Sequence, residues 1–141
     1  GGIADRLGGI RMLIYISLIA IVVTGIAALM PGSPFVMVGI LVVLFSALGA
    51  GNGAVFQLVP LRFKSSTVVA SSLVGEIGGL AGALLPTIMG YSREFTGSFA
   101  PGFLAGSLLA ACVFGALLLV MRQWTTTWVG AGGTAIEHDV I

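Results

Sequence analysis

The sequence predicts an all-α membrane protein of four transmembrane helices. Three observations carry that prediction: charge is scarce, the uncharged runs are as long as a bilayer is thick, and those runs are apolar all round. Of 141 residues, 6 are Lys or Arg and 5 are Asp or Glu. That is 8% charged, where a water-soluble domain carries about 25%. So few charges cannot cover the outside of a folded domain of this size, which makes lipid the solvent. No Lys, Arg, Asp or Glu lies between Arg11 and Arg62 or between Glu94 and Arg122, and only Glu76 lies between Lys64 and Arg93. A hydrocarbon core of about 30 Å needs about 20 helical residues to cross. Barrel strands alternate apolar and polar side chains, whereas "LVVLFSALGA" and "LLAACVFGALLLV" are apolar on every face.

Taken in order, residues 12–61 are too long for one span and are broken by "MPGSPF", where Pro31, Gly32 and Pro34 mark a turn. A helical hairpin follows, with helices over 12–30 and 35–59, the second ending at Pro60. A third helix is predicted over 67–90 and a fourth over 102–121, separated by a loop "YSREFTGSFAP". Arg6, Arg11, Arg62, Lys64 and Arg122 then fall on one side and Arg93 alone on the other. This bias places both chain ends and "PLRFKSS" in the cytoplasm and the protein in the cytoplasmic membrane. The chain divides into a cytoplasmic loop at 1–11, a four-helix segment at 12–121 and a cytoplasmic tail at 122–141. Two Trp near the start of that tail read as an interfacial anchor, and its remainder as a disordered end.

Polar and small residues inside the spans are the candidates for function. On the third helix, Ser71, Gly75, Gly79 and Ala83 recur every four residues, with Gly78 and Gly82 along the edge of that stripe. A neighbouring backbone can approach such a stripe closely, and small-residue seams are a main source of packing in lipid. The same stripe would let a helix slide or bend in a transporter. The second helix carries "GAGNGAVFQLVP", whose Asn52 and Gln57 should face protein or a cavity, either bridging helices or lining a polar path. Glu76 lies near mid-bilayer, where a charge costs several kcal/mol unless it is paired or protonated. Arg62, Lys64, Arg93 and Arg122 all belong to helix ends or loops. A partner cation on some further helix, or a neutral Glu76, are the two solutions.

Other chemistries have little to stand on. The one His, His138, lies in the tail, and the one Cys, Cys112, reads as a small apolar-helix residue. No paired carboxylates, metal-ligand spacing or nucleophile elbow point to an enzyme, a metal or a cofactor. Six scattered cations and a net charge of +1 exclude nucleic acid as a partner.

The opening "GGIADRLGGIR" resembles the loop motif of the major facilitator superfamily, with Gly1, Asp5, Arg6, Gly8 and Arg11 matching in order. In that superfamily the motif joins two helices on the cytoplasmic side, where its glycines turn the chain and its charges lock one conformation. Four helices after the motif resemble helices nine to twelve of a twelve-helix fold, so a fragment of a longer transporter is expected. Within the superfamily, "GAGNGAVFQLVP" and "SSLVGEIGGLAGALLP" resemble the tenth helix and the second signature of the nitrate/nitrite porter family. "FTGSFAPGF" and "RQWTTTWVG" add to that likeness. The resemblance implies transport of nitrate or nitrite by alternating access at a site between two halves. It assigns the signature glycines to Gly75, Gly78, Gly79 and Gly82. Glu76 departs from the pattern, which usually has a small or apolar residue there. The family holds its anion mainly through Arg residues on helices that have no counterpart here, so the partners implied are lipid, a small anion and the remaining transporter helices.

Rival readings are a proton-coupled facilitator for another small anion or an organic solute, with Glu76 as the proton carrier; a self-contained four-helix protein; and a structural membrane subunit. Asn52, Gln57 and Glu76 speak against the last, which would need less polarity.

Overall fold

The computed structural model describes residues 8–30 and 33–128, with side chains through Thr126. Four helices occupy nearly all of them: α1 (Gly9–Leu29), α2 (Pro34–Arg62), α3 (Thr67–Thr96) and α4 (Ala100–Gln123). One π-helical turn, Trp124–Trp128, continues α4. All four are long and apolar enough to cross a membrane. Such helices satisfy most of their backbone groups internally, as a span in hydrocarbon must. Gly1, Asp5 and Arg6 of the loop motif, residues 31–32 of the first turn, and the tail from 129 with His138 lie outside the described residues.

The third helix starts at Thr67 as predicted, and the other boundaries differ from the sequence prediction by a few residues. The first helix begins at Gly9 rather than 12, so Gly9, Ile10 and Arg11 belong to the span and not to the loop. Gly8 precedes it at a φ of 85°, a left-handed conformation suited to glycine. Pro60 does not end α2, because a proline in the last turn forfeits only its own N–H. The Phe63 N–H still donates to the Val59 carbonyl at 2.9 Å and closes that turn.

The largest correction concerns "YSREFTGSFAP". Most of it is helix, and α3 runs to Thr96 rather than 90. The stop is Gly97, whose φ of 71° is left-handed and whose N–H donates to the Arg93 carbonyl at 2.9 Å. Hydroxyls then fold the short connection: Ser92 Oγ donates to the Ser98 carbonyl at 2.9 Å and accepts from the Gly102 N–H at 3.0 Å. The Arg93 guanidinium lies 5.0 Å from the centre of the Phe99 ring, a favourable cation–π distance. At 30 residues, α3 is about 45 Å long and overhangs a 30 Å core.

Packing centres on α1. It lies along both α4 and α2, while α3 touches α4 and α2 only slightly. The core is made where these elements meet, by Ala27, Ala28 and Phe103 with Met37, Ile40, Leu41 and Met89 around them. Small residues set the separation of the helices. A Cβ on Gly25 would lie 3.8 Å from Ser107 Oγ, and one on Gly51 would lie 3.3 Å from Ile16. Ser107 Oγ donates to the Ile21 carbonyl at 3.1 Å, a hydrogen bond from α4 to α1. Other hydroxyls in the spans turn back on their own helix, as Thr24 does to the Ala20 carbonyl at 2.6 Å and Ser46 to the Val42 carbonyl at 2.7 Å.

Candidate functional site

The helix with the most distinctive sequence is the one the chain leaves uncovered. No residue of α3 is buried. A Cβ built on Gly75, Gly78, Gly79 or Gly82 meets nothing within 4 Å. The stripe thus exists as a continuous face of one helix, but no neighbour among the described residues packs into it. The glycines that do meet another helix are Gly9 and Gly25 of α1, Gly51 of α2, and Gly102 and Gly106 of α4.

Glu76 is exposed and shares α3 with this stripe, so it faces away from the chain's own packing and not into a bundle interior. Pro86 lies inside the same helix. Its ring nitrogen carries no hydrogen, so the Gly82 carbonyl four residues earlier loses its helical donor. The Thr87 hydroxyl donates to the next carbonyl, that of Ala83, at 3.2 Å. The middle of α3 therefore combines a carboxyl group, a freed backbone carbonyl and a strip without side chains.

On α2 the two polar residues part company. Asn52 is exposed and lies between Gly51, which meets Ile16 of α1, and Gly53, which has nothing within 4 Å. Gln57 is half-buried, its Oε1 fully so, and that oxygen would lie 3.2 Å from a Cβ on Gly9. Asn52 thus looks outward, as Glu76 does, whereas Gln57 is turned against the start of α1. Cys112 is exposed on α4, outside the chain's own core. Gly8 of the loop motif is buried and Arg11 exposed.

Among the described residues, Asn52 and Glu76 are exposed on separate helices and Gln57 is turned against α1. An open recess of about 410 Å³ is lined by Leu29, Met30, Ser33 and Val36 at the α1–α2 turn. It contains none of the sequence-predicted residues and no charge. Among the described residues no group of His, Cys, Asp and Glu is arranged to hold a metal ion. What the arrangement offers is exposed polar groups on two long helices, Asn52 on α2 and Glu76 on α3, the latter on the helix that bears the uncovered glycine strip.

Comparison with known proteins finds similarity to longer chains. Over 125 residues the chain is 32% identical to the "Nitrite extrusion protein" of Bacillus subtilis, an alignment covering 88% of this chain and 31% of that protein. It is 33% identical over 121 residues to the "Probable nitrate transporter NarT" of Staphylococcus haemolyticus, covering 85% of the chain and 30% of the relative. The protein of the same name from Staphylococcus aureus strain JH9 is 34% identical over 125 residues, 87% of the chain and 31% of the relative. The chain thus spans less than a third of the length of these relatives. No family model matches the chain, and no solved structure does.

Proposed function

We propose that this relative of bacterial nitrate and nitrite transporters forms one wall of a path that carries nitrate or nitrite across a membrane. The observation that carries the reading is the similarity itself: it runs through nearly the whole chain, and every relative named above is named for one of these two anions. Physical features support it. The chain has four helices of spanning length, and the faces left open on α2 and α3 bear Asn52, Glu76, Gly75, Gly78, Gly79 and Gly82. An anion path needs hydrogen-bond donors and a surface over which another helix can move, and Asn52 with the glycine strip supplies these. Positive charge to hold the anion would come from helices beyond these four, as the coverage of about a third of each relative suggests. Glu76 repels an anion while ionised, so in this reading it is protonated, paired with such a cation, or carries the proton that accompanies the solute. The cations at Arg11, Arg62, Lys64 and Arg122 favour an orientation with those helix ends in the cytoplasm.

The test is transport. The full-length protein carrying this chain, produced in a bacterium that lacks nitrate uptake and nitrite export, should restore movement of labelled nitrate or nitrite across the membrane. Normal membrane abundance with no movement of either anion would remove the reading.

A further inference from the structure

A close contact between helices lies where α1 begins against the last turns of α2. Gly8, Gly9 and Ile10 are buried there, Ile10 at 1% exposure, and so are Leu58 at 3% and Val59 at 6%. A Cβ on Gly9 would lie 2.7 Å from Leu58 Cγ, 2.8 Å from Leu58 Cδ2 and 3.2 Å from Gln57 Oε1. At the first two distances something has to shift, and Leu58 is itself buried, so a side chain at position 9 carries a packing cost. The register is regular: Ile16 meets Gly51, and seven residues further along each antiparallel helix Gly9 meets Leu58. Seven residues are two helical turns, which return the contact to the same face. At this spot the carbonyl end of the Gln57 amide, buried with the rest, lies at the N-terminus of α1. There the helix dipole is positive and favours a negative group.

We propose that Gln57 and Leu58 are positioning residues that clamp the start of α1, and that Gln57 acts through this clamp and not by touching the transported solute. Gly8 and Arg11 are the last matched positions of the loop motif, and Gly9 lies between them. A clamp on Gly9 consequently holds the helical end of that motif against α2. The function part of the inference rests on the transport reading; the clamp geometry does not.

Two measurements separate the parts. First, Gly9→Ala, Leu58→Ala and the double variant are compared by thermal unfolding of the detergent-solubilised full-length protein. Gly9→Ala should lower the midpoint clearly in the wild-type background and much less in the Leu58→Ala background, since the clashing Cγ and Cδ2 are then gone. An equal loss in both backgrounds overturns the clamp, and this result needs no transport. Second, Gln57→Leu should lower the maximal transport rate of nitrate several-fold with KM unchanged, as expected for a residue that biases conformation. A raised KM with the maximal rate retained would place Gln57 on the solute path, and no change in either would remove its positioning role. If the parent protein moves neither nitrate nor nitrite, the transport reading fails while the unfolding comparison still decides the clamp.

Discussion

Asn52, Gln57 and Glu76 are three polar side chains on apolar helices, yet the chain treats them differently. Asn52 and Glu76 point away from its packing, and Gln57 points into it. The sequence made all three visible, because a polar residue in a span stands out against its neighbours. It could not rank them, because a side chain's direction depends on which helices lie beside it and in what register. The same holds for Gly9 and Gly51, which read as loop and helix glycines until their antiparallel partners Leu58 and Ile16 are known. Glu76 is the residue whose chemistry is most open to test. On the reading in which Glu76 carries the proton that accompanies the solute, Glu76→Gln in the full-length protein keeps the shape of the side chain but removes that exchange, and should flatten the pH dependence of nitrate uptake. An unchanged pH profile at normal membrane abundance would show that Glu76 carries no proton.

Helix α3 is the element that sets this chain apart. Its number, type and start at Thr67 were legible from charge spacing, but its end was not. Gly90 and the polar run "YSREFTG" look like a loop, and only Gly97 with its left-handed φ marks the true stop. Polar residues there belong to the overhang of a 30-residue helix beyond the hydrocarbon core. The glycine stripe was legible as a face, but its partner was not, since nothing among the described residues comes within 4 Å of a Cβ at Gly75, Gly78, Gly79 or Gly82. A large side chain on that face should thus spare the packing of α1 with α2 and α4 while blocking whatever approaches from outside. Gly79→Leu should leave membrane abundance and thermal midpoint near the parental values and reduce nitrate transport to background. Full transport in this variant would show that the face is neither a seam nor part of a path.

In the assembled chain, α1 is enclosed between α2 and α4, and α3 stands at the side with an uncovered face. Such an arrangement buries little: α3 has no buried residue, and α2 keeps Gly51, Ala54, Leu58 and Val59 as its buried positions. A bilayer does not penalise the apolar part of this exposure, because lipid tails are as apolar as the side chains. It does penalise an exposed Glu76, Asn52 and a carbonyl freed by Pro86. The uncovered polar strip is thus where further protein or a water-filled path belongs, and the length of the related transporters leaves room for both. Substituted-cysteine accessibility at Gly79 addresses that inference directly. In a cysteine-free form of the full-length protein, Gly79→Cys should react with a membrane-impermeant thiol reagent, and saturating nitrate should slow that reaction. A thiol at this position that no aqueous reagent reaches, or that reacts at the same rate with and without nitrate, would contradict a solute path along α3.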